Sequence, residues 1–271
     1  MRALVSTRLL AVAVAAAGCG ENLTPVADAP PPVVAGCVPD LDGLLTAAEL
    51  PVVLDQPLTF RVAADVAVDV AGQGAGDQRR WDWSDDRAGD ALVDQTAVAL
   101  DDQWYASAFP GGRFVLAVDD ATDGVYTADD RGLYLLGLAS RDEVLAGGKT
   151  LLPYAAPVAV LRLPLAVGDR WTETGVITGG TARGLPYNGT DTYAVTADAD
   201  GELHLPYVRF AAAVRVRTVV TSTPAVGGAS TTVRQAAFFS ECFGEIGRAT
   251  SRPGEATDDF TTAASQRRLA L

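Results

Sequence analysis

Short runs of apolar and β-branched residues follow one another along most of this chain. They are separated by Gly, Asp, Asn and Pro, a pattern typical of strands joined by tight turns. The segment Val214–Arg217 alternates between valine and arginine, so one face of that strand is predicted to be buried and the other solvated. The pattern predicts the strands Leu58–Val70, Arg113–Val118, Leu133–Ser140, Val158–Leu163, Arg170–Thr178, Thr190–Ala197, Ala213–Ser222, Thr231–Ser240, Glu245–Ser251 and Asp259–Arg267.

Helix is scarce in the same pattern. Residues Thr46–Glu49 fit a capping box, but Pro51 ends any helix there within about two turns. Ala91–Leu100 is compatible with either a strand or a helix. Turn signals between the predicted strands are Asp123-Gly124, Asp130-Arg131-Gly132, Asn188-Gly189 and Asp200-Gly201. We therefore predict an all-β fold, a curved antiparallel sheet that forms a half-barrel or a sandwich-like structure, with very little helix.

The first nineteen residues have the order of a secretory signal. Arg2 and Arg8 supply positive charge, the run Leu9–Gly18 is small and apolar, and Cys19 follows. Ten residues of helix extend about 15 Å, roughly half of the hydrocarbon core of a bilayer, so a lasting transmembrane span is not expected. We predict a signal peptide over residues 1–18.

The end of this signal resembles the lipobox of bacterial lipoproteins, in the residues Ala16-Ala17-Gly18-Cys19. The resemblance implies that Cys19 becomes a lipidated N-terminus carrying acyl chains such as palmitate, and two or more chains would hold the protein firmly on a membrane. Gly20 after the cysteine permits the outer membrane, with the domain facing the periplasm or the cell surface. Ala16 stands where the lipobox usually has Leu. A plain signal peptide, cut after Ala17 or Gly18, is the alternative.

A tether and an exported domain follow the signal. Residues 19–36 are rich in proline, and Pro30-Pro31-Pro32 should be extended and stiff, so this segment would lift the domain off the membrane. The β-rich domain is predicted over residues 37–271. An alternative organisation divides it into two sub-domains, about 37–156 and 157–271.

Charge narrows the choice of partners. The chain has 271 residues, of which 48% are apolar, enough for a sizeable core. Its formal net charge is −13, and the loss of Arg2 and Arg8 with the signal makes it −15. A surface this acidic repels phosphate backbones, so we expect no nucleic-acid partner. Solubility of an exported domain explains the charge, and affinity for cations or for a basic partner is the functional interpretation.

The cysteine count suggests one disulfide. If Cys19 carries lipid, Cys37 and Cys242 form the only pair, and an exported compartment lets their bond persist. Their separation is 205 residues (242 − 37), for which the chain-entropy model gives at most about 5 kcal/mol of stabilisation. Two buried free thiols are the alternative.

Several motifs resemble secreted bacterial β-domains of unassigned function. The matching segments are Pro164–Trp171 as an entry strand, Asp200–Pro206 with Phe210 and Val214–Val216 as a hairpin, and Cys242–Gly247 as the turn before a last strand pair. The resemblance covers about residues 157–270. It implies a curved half-barrel akin to periplasmic lipoprotein carriers, which hold an acyl chain in a concave groove. In the first half, Trp81-Asp82-Trp83-Ser84 resembles uncharacterised lipoproteins of myxobacteria.

Catalytic and zinc chemistry have little support in the sequence. His204 is the only histidine, and it lies in a predicted strand pattern rather than in a nucleophile motif, so a packed or surface role is favoured. One histidine and two bridged cysteines cannot supply a tetrahedral zinc site. We predict no catalytic residue and no cofactor.

Among metal ions, calcium has the strongest support in the sequence. Asp40, Asp42, Gly43 and Glu49 match positions three, five, six and twelve of an EF-hand loop, but Val38 occupies position one and offers no carboxylate. A second segment, Asp198-x-Asp200-Gly201, begins like an EF-hand loop, but Tyr207 stands at the position of the last ligand. Because Asp and Gly are favoured in β-turns for backbone reasons, turns are the preferred interpretation, and no metal site is predicted.

Acidic pairs and aromatic residues give the remaining candidates. The pairs Asp85-Asp86, Asp101-Asp102 and Asp119-Asp120 would suit a glycan hydrolase only if two carboxyls converged. Trp81, Trp83, Trp104 and Tyr105 would form either a ligand platform or a cap on the core. The favoured expectation is a non-enzymatic lipoprotein of the cell envelope that binds an apolar ligand or an envelope partner. The alternatives are a structural or assembly protein and, less favoured, a glycan hydrolase.

Overall fold

A computed structural model describes residues 37–74 and 78–270, and they are nearly all β-structure. The strands are β1 (Pro57–Ala67), β2 (Gln78–Asp82), β3 (Ala91–Thr96), β4 (Val98–Ala99), β5 (Phe114–Ala117), β6 (Thr122–Asp129), β7 (Gly132–Ser140), β8 (Leu151–Arg162), β9 (Arg170–Ala182), β10 (Leu185–Leu205), β11 (Val208–Pro224), β12 (Thr231–Ser240), β13 (Gly244–Thr250) and β14 (Thr262–Leu269). One 3-10 turn, Ala106–Ala108, is the only helical element in these ranges. The predicted all-β fold is confirmed.

All of the strands belong to one sheet. Its order is β3-β1-β14-β13-β12-β11-β10-β9-β8-β7-β6-β5-β4, and every neighbouring pair on this path is antiparallel, while β2 adds to β10 in parallel. The chain passes directly from β3 at one edge through Ala97 to β4 at the other. The sheet is therefore curled until it is nearly closed into a barrel. Residues 156 and 157, where the alternative organisation divides the domain, both lie within β8, so the sheet is continuous at that point.

Charged groups meet across the interior of the curled sheet. Six strands separate β6 from β13 in the sheet order, yet Tyr126 of β6 lies near Arg248 of β13 and Arg267 of β14. Burial raises the pKa of the Tyr126 phenol, although the two arginine charges act to lower it. Arg267 donates from Nε to Oε1 of Glu245 at 2.6 Å, and Arg248 also pairs with that carboxylate. One carboxylate thus balances two guanidinium groups inside the fold.

The segment around β2 covers the other face of the sheet. Trp81 and Trp83 are buried there, and each ring meets the edge of Phe238, with centroids 4.8 and 4.9 Å apart. Both indole N–H groups donate to backbone carbonyls, of Val70 at 3.3 Å and Asp69 at 2.9 Å. The two tryptophans therefore cap the core and do not form an exposed platform.

Two predicted turns lie inside a strand. Asn188-Gly189 and Asp200-Gly201 are part of the 21-residue β10, where irregular register absorbs them. At Gly201 the backbone of Arg79 comes so close that a Cβ would stand 1.8 Å from its carbonyl oxygen. The glycine is therefore needed for the approach of β2 rather than for a hairpin turn.

The predicted signal peptide, Cys19 and the tether lie outside the described residues. The Cys37–Cys242 disulfide is present, with the two Cα atoms 5.6 Å apart, and it is compatible with an exported protein. Within the part of the chain that the structure describes, no helix is long and apolar enough to cross a membrane.

Candidate functional site

A surface cleft of about 450 Å³ lies beside the disulfide. Its floor is apolar, and it is formed by Leu45 together with Ala213 and Val214 at the start of the regular part of β11. Ala211 adds a small, exposed side chain to the same surface. Because Leu45, Ala213 and Val214 are buried, the floor is recessed between the segments on either side. A concave apolar surface with polar groups around it is the usual form of a binding site.

One wall of the cleft is the segment of residues 40–44, which leads into Leu45 of the floor. Glu241 is buried, and its Oε2 accepts the backbone N–H groups of Asp40 at 2.8 Å and Leu41 at 2.9 Å. Leu45 exchanges two backbone hydrogen bonds with Leu165, at 2.9 and 2.8 Å. The wall is therefore attached to the sheet at both ends, and the disulfide adds a covalent tie.

The acidic residues of this wall differ from the predicted calcium loop. Oxygen atoms of Asp40, Asp42 and Glu241 lie within 4.8 Å of one another. Glu49, the expected last ligand, instead accepts the N–H and Oγ1–H of Thr46, both at 2.8 Å. The bond from the Thr46 N–H to Glu49 is one half of the predicted capping box, and it uses the carboxylate that an EF-hand would need.

The two aspartates serve the chain locally as well. Oδ1 of Asp40 accepts the N–H of Asp42 at 3.1 Å, and Oδ1 of Asp42 accepts the N–H of Leu44 at 2.8 Å. These bonds close turns of the kind favoured by aspartate. Side-chain hydrogen bonds of the two aspartates thus shape the backbone of this segment. Glu241 could not be found from spacing, since it lies about 200 residues away in the sequence.

The opposite wall carries charges of both signs. Arg79 and Arg80 of β2 line this side of the cleft together with Glu202 of β10, which is the register partner of Arg80. His204, the only histidine, contacts Glu202 (Nε2 to Oε2, 3.1 Å) and lies 3.5 Å from Arg80. The hydrogen bond from His204 lowers the pKa of the Glu202 carboxyl, with the charge of Arg209 acting in the same direction. Arginine and carboxylate groups are thus available to orient a bound molecule.

The remaining sequence candidates lie elsewhere in the fold. Asp86 pairs with Arg61 at 3.1 Å, and Asp119 closes its own turn by accepting the N–H of Ala121 at 2.9 Å. Trp104 is covered by the Lys149 ammonium, 4.6 Å from its ring. Among the described residues, none of the predicted acidic pairs lines the cleft. The cleft was missed by the sequence analysis because its floor consists of alanine, valine and leucine, which carry no motif.

Comparison of the chain with protein-family models, with curated proteins and with solved structures finds no match. An apolar floor between charged walls suits a molecule, or a segment of one, with an apolar part and polar ends. The apolar floor and the charged walls are complementary to such a molecule.

Proposed function

We propose that this is a non-enzymatic, membrane-anchored lipoprotein of the cell envelope, held at the outer membrane by a lipid on Cys19. Its role is to bind an apolar ligand, or the apolar part of an envelope partner, in the cleft. The observation that carries the proposal is the recessed floor of Leu45, Ala213 and Val214 between charged walls. Transfer of an apolar group from water onto this floor is favourable in proportion to the apolar area that is covered.

The position of the cleft supports an anchored role. Its first wall begins at Asp40, only a few residues after Cys37, where the predicted tether of residues 19–36 joins the domain. A fully extended tether of this length spans about 60 Å. The tether would therefore keep the cleft within about 60 Å of the membrane, within reach of molecules at its surface.

Filling the cleft tests the proposal. Ala211 is exposed at the cleft, so Ala211→Trp places an indole there without altering the core. Ala194→Trp is the matched control, because Ala194 is also exposed, on β10, and does not line the cleft. Each protein would be purified from membranes of the producing bacterium and examined by native mass spectrometry.

We expect the wild type and Ala194→Trp to carry a bound apolar molecule and Ala211→Trp to have lost it. Retention of the adduct by Ala211→Trp would place the ligand elsewhere. A wild-type protein that carries no adduct would contradict the binding of an apolar ligand. Recovery of a chain that still carries Met1 and has no lipid would contradict the proposed anchor on Cys19.

A further inference from the structure

The sheet does not close along its whole length. β3 pairs with β1 on one side, and among the described strands nothing pairs with its other side. The side chain of Gln95 spans the gap by donating from Nε2 to the carbonyl of Ala117 at 3.2 Å. We use the name "slot" for the opening beyond this contact, bounded by Ala91–Asp94 on β3 and by residues 118–120 after β5.

The slot exposes apolar side chains beside an unpaired strand edge. Leu92 and Val93 point to opposite faces of β3, yet their exposed fractions are 65% and 42%. Val118 on the far side of the slot is 49% exposed. Proteins usually guard a free edge with lysine, proline or a bulge, since unpaired N–H and C=O groups are a template for another strand. The residues Ala91–Val93 have none of these guards.

The charge around the slot indicates what kind of strand fits. Asp94, Asp119 and Asp120 are exposed at its borders, on a chain whose formal net charge is −13. Asp94 is held in place by Thr59, whose hydroxyl donates to Oδ1 at 2.6 Å. A second copy of this chain would bring the same carboxylates against these, which is unfavourable. A basic segment would be attracted to them.

We propose that the slot accepts an extended segment of a partner protein, which adds to the free edge of β3 and alternates apolar with basic side chains. Backbone hydrogen bonds to Ala91–Asp94 provide the affinity in this mode, and Leu92, Val93 and the carboxylates provide the selectivity. This proposal does not depend on the cleft, because the two surfaces share none of their lining residues.

A labelled peptide tests the proposal. The probe is a fluorescein-labelled peptide that alternates valine and arginine, and its control has glutamate in place of arginine. Binding to the mature protein is followed by fluorescence anisotropy. Leu92→Lys places a guard on the edge, and Val226→Lys is the matched control, since Val226 is 90% exposed and lies in the connection between β11 and β12. We expect Leu92→Lys to weaken binding about tenfold or more and Val226→Lys to leave it within about twofold.

Hydrogen exchange identifies the surface that is occupied. Addition of the arginine peptide is expected to slow exchange of the amides of Ala91–Asp94, and the glutamate peptide is expected to have no effect. A second variant, Asp94→Lys, should weaken binding as well, and thermal unfolding of each variant shows whether it is folded. Protection at another strand, equal binding of both peptides, or a Leu92-dependent dimer of the protein alone would each overturn the proposal.

Discussion

The carboxylate of Glu241 accepts the backbone N–H of Leu41, which lies 200 residues earlier in the chain, at a distance of 2.9 Å. The same oxygen accepts the N–H of Asp40, and the next residue, Cys242, forms the disulfide with Cys37. A noncovalent and a covalent tie therefore fix the same segment to the turn between β12 and β13. Together they position one wall of the cleft.

We expect Glu241→Gln to loosen this wall. The amide oxygen can still accept both N–H groups, but the negative charge that strengthens these two hydrogen bonds is lost, at a cost of about 1–3 kcal/mol. Urea unfolding should show this loss in the free energy of unfolding, and hydrogen exchange of residues 40–45 should become faster. Glu143→Gln is the control, because Glu143 is an exposed partner of Lys149 and should change stability by about 0.5 kcal/mol or less. Equal effects of the two variants would contradict the prediction.

Most of the strands could be predicted from local pattern. Val214–Arg217, for example, lies in β11, and the segment Thr231–Ser240 was predicted with the bounds that β12 has. In such segments the alternation of buried and exposed positions is a local property, so a few neighbouring residues suffice to reveal it.

The missed elements depend on distant contacts. Gln78–Asp82 forms β2 only by pairing in parallel with the end of β10, more than 100 residues later. Asp123-Gly124 reads as a turn, but it lies in β6, where the ring of Tyr126 would be 2.7 Å from a Cβ at Gly124. The cleft could not be predicted for the same reason. Glu241 and Ala213 are far from Leu45 in the sequence, and they come close to it only in the folded chain.

The buried pair of Arg268 and Asp90 should be much more important for stability than an exposed pair. The exposed fractions of the two side chains are 0% and 1%, and Arg268 also donates to the carbonyl of Trp83 at 2.8 Å. Asp90→Asn leaves the guanidinium without its counter-charge, and we expect a loss of about 3–5 kcal/mol.

Asp65→Asn provides the comparison for this pair. Asp65 and Arg252 are each 64% exposed, so breaking their ion pair should cost about 1 kcal/mol or less. Urea unfolding at neutral pH measures both changes. A cost for Asp90→Asn as small as that for Asp65→Asn would show that the segment before β3 is not held by this pair.

Glu245 should make stability depend on pH. Burial acts to raise the pKa of its carboxyl, but Arg248 and Arg267 outweigh that effect and hold the pKa below its ordinary value of 4.5. A lowered pKa in the folded state means that the stabilisation is complete above pH 4.5 and is lost as the pH falls through the folded value.

The corresponding variant is Glu245→Gln. At pH 7 we expect it to be less stable than the wild type by about 3 kcal/mol, because two partly buried guanidinium groups lose the carboxylate that they share. The difference should shrink as the pH is lowered from 4.5 through the folded pKa, because the wild-type carboxyl then becomes protonated itself. Urea unfolding over this range is the measurement. A difference that stays constant with pH would mean that Glu245 does not titrate in this way.

Tyr154 and Asp191 form the last pair with a clear expectation. The phenol donates to Oδ2 of Asp191 at 2.8 Å, its oxygen lies 2.8 Å from that of Tyr193, and all three side chains are buried. Burial raises the pKa of the Tyr154 phenol, so it keeps its proton and serves the carboxylate as a donor throughout the neutral range. Tyr154→Phe removes that donor, and we expect a loss of about 3 kcal/mol in the free energy of unfolding.

Two further variants decide whether this loss comes from the carboxylate. Tyr207→Phe removes a hydroxyl that bonds Asp86 at an exposed position, and it should cost about 0.5 kcal/mol or less. Adding Asp191→Asn to Tyr154→Phe should recover part of the stability, because a neutral amide is less costly to bury without its partner than a carboxylate. If the double variant is instead less stable than Tyr154→Phe by the full cost of Asp191→Asn alone, the two side chains are independent. In that case the hydroxyl stabilises the fold through Tyr193 or through packing.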